Sequence, residues 1–160
     1  MRPLRSLTNL LLLAGIALAT SAIGAAPHDG HAAVSDDRQA VSLPAPMRTH
    51  MLANMRDHLE AMGEIQAALA DEDFTAAADI AESRLGMSSM EEHGASRMAR
   101  FMPEGMREIG GRMHRSASKF ARISRDAEVT GDLRPPLEAL AGVNRQCVAC
   151  HAGYRAVVAE

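Results

Sequence analysis

The residues best able to do chemistry lie near the carboxyl end, where the chain reads Cys147-Val-Ala-Cys150-His151. These are the only two cysteines among the 160 residues. On an α-helix, spacings of i, i+3 and i+4 bring both thiols and the imidazole to one face, within about one turn of each other. Thiols can form covalent thioethers and an imidazole can ligate iron, so we expect the three side chains to act on one group.

Cys-x-x-Cys-His is the attachment pattern of haem c, in which the thiols add to the haem vinyl groups and the histidine ligates iron. We therefore predict one covalent haem c, bound through Cys147 and Cys150, with His151 as axial iron ligand. A disulfide and a zinc site are alternatives. A helical Cys-x-x-Cys disulfide usually needs a thioredoxin-like βαβ unit, which the sequence lacks, and zinc would need a further ligand that no third cysteine supplies.

The other histidines give weaker signals. His58 lies beside an apolar stripe, and His93 and His114 stand among charged residues, so we expect polar surface or boundary positions rather than ligands. His28 and His31 fall in a polar segment and are expected to be solvated.

The first 26 residues have the layout of a secretory signal peptide: a basic start at Met1–Arg5, an apolar run, and small residues at its end. Cleavage is expected between Gly24 and Ala26. The alternative is an uncleaved membrane anchor, because an apolar run of this length could just span a bilayer. Attachment of haem c requires export, so we predict a periplasmic protein.

Composition favours helices in the remainder. Three Phe, one Tyr, no Trp and eleven Met, with many alanines, describe an aliphatic, thioether-rich core with few strand formers. Residues 27–46 are polar and end in two prolines, and are predicted to be a flexible linker. Residues 47–160 are predicted to be one four-helix domain.

Apolar residues recur at three- and four-residue steps in four segments, which predicts four amphipathic helices. The first stripe is Leu52, Met55, Leu59, Met62 and Leu69; the second runs from Phe74 to Phe101 with a bend at Gly86; the third runs from Met106 to Ile123; and the fourth runs from Leu137 to Val158. Asp73 is the expected N-cap of the second helix, and Val129-Thr-Gly-Asp132 the turn after the third. Short connections predict an all-α, antiparallel up-and-down bundle.

Several classes of function are disfavoured. The formal net charge is −3, without a basic patch interleaved with aromatic residues, so nucleic acid is not an expected partner. There is no Ser-His-Asp pairing, phosphate-binding loop or paired carboxylate cluster, so we do not expect an enzyme.

With a haem motif at the end of a four-helix bundle, residues 47–157 resemble cytochrome c prime, the class II c-type cytochromes. The segment Cys147-Val-Ala-Cys-His-Ala-Gly-Tyr-Arg155 is similar to the attachment segment of that family, including the Tyr-Arg that follows. The pattern Arg48-x-x-x-Leu52-x-x-Met55-x-x-His58 is similar to its first helix. The first match is the more specific.

The resemblance implies roles for further residues. Arg48 would lie near a haem propionate, a contact that suits a guanidinium. Leu52 would cover the distal face of the iron, and Met98 and Phe101 would wall the distal pocket, with Met98 in place of the usual tryptophan. Arg155 would be a basic residue beside the proximal histidine. The family also implies a homodimer through the first two helices.

Iron ligation is the point on which the mechanism depends. A leucine cannot ligate iron, so Leu52 implies five-coordinate iron held by His151 alone. Met51 and Met55 flank Leu52, however, and a small rotation of the helix would offer a thioether as a sixth ligand, as in low-spin relatives.

We therefore expect electron transfer with periplasmic redox proteins. The alternative is a five-coordinate haem module that binds nitric oxide or carbon monoxide in an apolar pocket. A third possibility is Cu(I) handling by Met87-Ser-Ser-Met90-Glu-Glu-His93, because thioethers suit Cu(I). Residues 87, 90 and 93 drift around a continuous helix, which weakens that interpretation.

Overall fold

The computed structural model of the protein describes residues 35–160. The predicted signal peptide, residues 1–26, and the first part of the predicted linker, with His28 and His31, lie outside the described residues. Of those described, 74% are helical, in five α-helices, one π-helical turn and one 3₁₀ turn, accompanied by a small two-stranded sheet. Within residues 35–160, no helix combines the length and the hydropathy that a bilayer span requires.

The elements in chain order are β1 (Gln39–Leu43), α1 (Ala45–Ala70), α2 (Phe74–Ile80), a π-helical turn (Ala81–Leu85), a 3₁₀ turn (Met87–Ser89), α3 (Ala95–Ala99), α4 (Glu104–Thr130), α5 (Arg134–Gly153) and β2 (Tyr154–Val158). The predicted N-cap is confirmed, because the Asp73 carboxylate accepts a hydrogen bond of 2.8 Å from the Ala76 N–H. The predicted end of the third helix is also confirmed: α4 stops at Gly131, whose φ of 68° is the left-handed conformation that glycine tolerates.

Helices α1, α2, α4 and α5 share one main core, to which all four contribute buried side chains. Phe120 and Ile65 have no exposed surface, and Val143 of α5 has 1%. Burial of each such side chain contributes about 1.5–3 kcal/mol. The prediction of a helical bundle around an aliphatic core agrees with this packing, although Leu59, expected in the first buried stripe, is 75% exposed.

The sheet corrects three predictions. Strands β1 and β2 pair in parallel, from Gln39 opposite Tyr154 to Leu43 opposite Val158. Residues 39–43 are therefore not part of a flexible linker, the fold is not purely α-helical, and the last helix ends at Gly153 rather than reaching Val158. The physical reason is burial: Val41 and Leu43, two positions apart on one face of β1, are buried with 2% and 0% exposure.

These strands pack on a second, smaller core, here called the sheet cluster. Its buried members are Val41, Leu43, Met51, Met98 and Met106, with Cys150 and Tyr154 packed against them.

The second predicted helix is broken, not bent. Gly86 has an extended backbone, with ψ of −174°, and a Cβ at this position would lie 2.7 Å from the Glu82 carbonyl oxygen. Gly94 has a φ of 64° and starts α3. The two glycines therefore separate the π-helical turn from α3 by an irregular segment. One result is that the Leu85 and Gly86 carbonyls accept hydrogen bonds from side chains of Ser89 and His114.

Candidate functional site

A cavity of about 530 Å³ lies between the main core and the sheet cluster. Its walls are parts of α1, α4 and α5 together with residues from the segment 85–102. Eight methionine side chains line it: Met51, Met55, Met62, Met90, Met98, Met102, Met106 and Met113. The volume lies within the range of about 300–1,000 Å³ that is usual for cofactor and ligand pockets.

The motif found in the sequence opens onto this cavity. Cys147, Cys150 and His151, near the end of α5, are all among the lining residues. Both thiols are free and half-buried, and the imidazole is exposed. Burial raises the pKa of both thiols, and the neighbouring Cys147 raises that of Cys150 further. Two neutral thiols therefore face the cavity, together with an imidazole that is also exposed to solvent.

The segment that follows the motif is held by the sheet. The N–H of Tyr154 donates to the Cys150 carbonyl, and β2 begins at once. The Arg38 guanidinium, just before β1, donates a hydrogen bond of 3.4 Å to the His151 carbonyl. The motif is therefore held in the last turns of α5, directly before the sheet.

The two arginines expected near the haem lie at the sheet and do not line the cavity. The Arg48 Nε donates to the Ala156 carbonyl of β2 at 3.3 Å. The Arg155 Nε is 3.6 Å from the Asp36 carboxylate and has no hydrogen-bond partner. Both side chains join the strands to neighbouring parts of the chain.

The residues expected on the distal side of a haem divide into two groups. Met51, Met55 and Met98 line the cavity, whereas Leu52 and Phe101 do not. Met51 and Met55 are four residues apart and share one face of α1, while Leu52 is turned by about 100° from Met51. Phe101 instead packs on the sheet cluster.

The segment 87–93, considered for Cu(I), also lies only partly in the cavity wall. Met90 and His93 line the cavity, but Met87 is outside it and 44% exposed. The break at Gly86 produces this arrangement, which a continuous helix would not.

Three histidines from separate elements meet in the cavity wall. His58 of α1, His93 before α3 and His114 of α4 have ring centroids 4.7, 5.5 and 6.2 Å apart. His114 is only 8% exposed, so the expectation of a surface or boundary position is wrong for it. Among residues 35–160, no group of three or more His, Cys, Asp or Glu side chains is arranged to hold a metal ion as it stands.

The sequence carried only a partial signal for this cluster. His58 follows Met55 by three residues and precedes Met62 by four, so it shares their face of α1. His114 directly follows Met113 at the edge of the third stripe. Nothing local indicated that His93 would join them, because the turns after Gly86 place it there.

No protein-family model, curated protein or solved structure matches the chain. Its function therefore has to be argued from the cavity and the side chains that face it.

Proposed function

We propose that this protein is an exported c-type haem protein that transfers electrons. The observation that carries the proposal is that Cys147, Cys150 and His151 together line one largely apolar cavity. Two cysteines without a cofactor to bind would not be expected to lie together beside a pocket large enough for one. The thiols are free, and the adjacent imidazole belongs to the same helix face.

The residues present fit this group. The two thiols would hold the haem covalently, His151 would ligate its iron, and the methionine-lined walls would bury the apolar part of the ring. When bound, the haem supplies a one-electron couple between ferric and ferrous iron. The apolar side chains of the cavity would shield the bound ring from water, and α5 and the sheet keep the motif in place.

The positions of Met51 and Met55 support electron transfer over gas binding. Both thioethers face the cavity, whereas Leu52, which would leave the iron open, does not. A methionine thioether bound to the iron would raise the reduction potential and compete with a gas for the metal. Binding of nitric oxide or carbon monoxide is the outcome to be expected if neither thioether ligates. The finer topology, an antiparallel up-and-down order of α1, the broken second helix, α4 and α5, is part of the same proposal.

The first experiment asks whether haem is attached. The full chain is exported in a host with c-type maturation, and the purified product is weighed by mass spectrometry. We expect the mass to rise by one haem, and Cys147→Ala with Cys150→Ala to abolish the increase. A product that contains only polypeptide would refute the proposal.

The second experiment separates the two functions by absorption spectroscopy of the ferrous protein with and without carbon monoxide. We expect a low-spin spectrum that carbon monoxide does not change. Met51→Leu or Met55→Leu should convert it to a high-spin, carbon monoxide-binding form. Met47→Leu is the matched control, because Met47 packs on the sheet cluster without lining the cavity. A wild-type protein that already binds carbon monoxide would favour the gas-binding function.

A further inference from the structure

Three imidazoles in the cavity wall have no role in haem attachment. They come from α1, the segment before α3, and α4, which are brought together only by the tertiary fold. In a tetrahedral metal site with bonds of about 2.0–2.1 Å to nitrogen, the centroids of two ligating rings lie about 5 Å apart. The three separations of 4.7, 5.5 and 6.2 Å bracket that value.

We propose that His58, His93 and His114 form a binding site for a first-row transition-metal ion. Imidazole nitrogen suits zinc, copper, nickel and iron ions. The nitrogens do not converge on one point as the rings stand, so binding requires the rings to rotate. The spacing of the ring centroids already suits a shared ion. The three histidines come from other elements than the Cys147-Cys150-His151 motif, although both sets of residues line the same cavity.

Hydrogen bonds fix the tautomer of two of the rings so that Nε2 can ligate. The Nδ1 of His114 lies 2.8 Å from the Leu85 carbonyl and 3.2 Å from the Gly86 carbonyl. A carbonyl can only accept, so Nδ1 carries the proton and Nε2 carries the lone pair. Metal-ligating histidines usually donate their second N–H in this way, which fixes the tautomer and the ring.

The same logic applies to His93. The Ser89 hydroxyl donates its only proton to the Gly86 carbonyl at 2.8 Å. Its oxygen then accepts from the His93 Nδ1 at 3.3 Å, so Nε2 of this ring also has a free lone pair. The main-chain carbonyl of His93 is held in turn by Asn54 and His50 of α1, at 3.2 and 3.0 Å.

His58 supplies the independent sign of a missing ligand. Its Nε2 is buried in the cavity wall and has no hydrogen-bond partner. A buried polar atom without a partner costs about 1–3 kcal/mol, and native structures contain few of them. A metal ion held by all three rings would satisfy this nitrogen.

The charge state also suits a cation. Burial lowers the pKa of His58, His93 and His114, so the three rings are neutral ligands at neutral pH. The carboxylates of Asp57 and Glu92 act in the opposite direction on His93, which means that their field favours positive charge at this position.

The test uses the full chain without a histidine tag, carrying His28→Ala and His31→Ala so that these two imidazoles cannot contribute. The purified protein is stripped with a chelator and dialysed to equilibrium against Zn²⁺. We expect about one tightly bound zinc per chain, and Cys147→Ala with Cys150→Ala should not remove it, which distinguishes this zinc from one bound at the thiols of the motif. His58→Gln, His93→Gln and His114→Gln should each weaken binding at least tenfold. Arg145→Gln is the control, because Arg145 is an exposed residue of α5 that does not line the cavity, and it should leave zinc affinity unchanged.

A second measurement needs no variant of the cluster. Zinc-edge X-ray absorption of the loaded parent protein should count three imidazoles around the ion, and the iron of any attached haem does not interfere. Fewer than three imidazoles, no zinc uptake, or equal uptake by the three glutamine variants would overturn the proposal. A haem spectrum that changes in His58→Gln while the parent takes up no zinc would assign that imidazole to the haem, and would overturn it too. Haem attachment is measured by mass, so failure of either proposal is recognised separately.

Discussion

Acidification should destabilise this fold through its buried histidines, and His58 allows the size of the effect to be worked out. Burial, with smaller contributions from His93 and His114, lowers the pKa of His58 from 6.5 to about 4. The unfolded chain therefore binds a proton as the pH falls through 6.5, and the folded chain only near 4. The stabilisation is complete above 6.5 and is lost as the pH falls from 6.5 towards 4. At pH 5 the loss amounts to about 2 kcal/mol.

The assay is urea unfolding in the presence of a chelator at about pH 7.5 and at about pH 5. We expect the wild-type protein to lose at least about 2 kcal/mol between the two, since His93 and His114 shift in the same direction. His58→Gln should lose about 2 kcal/mol less than wild type over the same interval. Asp57 and Glu82 have lowered pKa values, and their stabilisation is lost only at lower pH. Equal losses in the variant and the wild type would refute the assignment to His58.

Two further predictions concern the break in the second helix at Gly86 and the sheet formed by β1 and β2. Gly86→Ala should destabilise the protein by about 1–3 kcal/mol in urea unfolding, because its Cβ would lie 2.7 Å from the Glu82 backbone oxygen. The control is Gly142→Ala, in α5 with only ordinary contacts, which should be neutral or stabilising. If Gly142→Ala were the more destabilising of the two, the extended backbone at Gly86 would be wrong. Leu43→Ala should lower the free energy of unfolding by about 2–5 kcal/mol because Leu43 has no exposed surface. Ser42→Ala, at the exposed neighbouring position, should change it by less than about 0.5 kcal/mol. Equal effects of the two substitutions would show that β1 does not belong to the folded domain.

Local patterns predicted the parts of this fold that local physics determines. The apolar period of α4 located that helix, the Asp73 carboxylate marked the start of α2, and Gly131 marked the end of α4. The Cys-x-x-Cys-His spacing indicated a shared helix face, and its three side chains do line one cavity.

The parts that the sequence did not predict depend on contacts between distant segments. Strand β1 is only five residues long and follows a polar segment, and its partner lies more than a hundred residues later. The histidine cluster needs three elements to meet, one of them placed by the extended backbone at Gly86. Neither an apolar period nor a motif encodes such a meeting.

The parallel pairing of β1 with β2 has a mechanical consequence. Since β1 stands at the amino-terminal side of the described domain and β2 at its carboxyl end, tension between the two ends pulls the strands in opposite directions along their length. The hydrogen bonds of the ladder, with the Ala159 N–H to Leu43 carbonyl bond of 2.8 Å beyond it, are then loaded together in shear rather than opened one at a time. A force applied through the ends would meet this clamp before it reached the helices around the cavity.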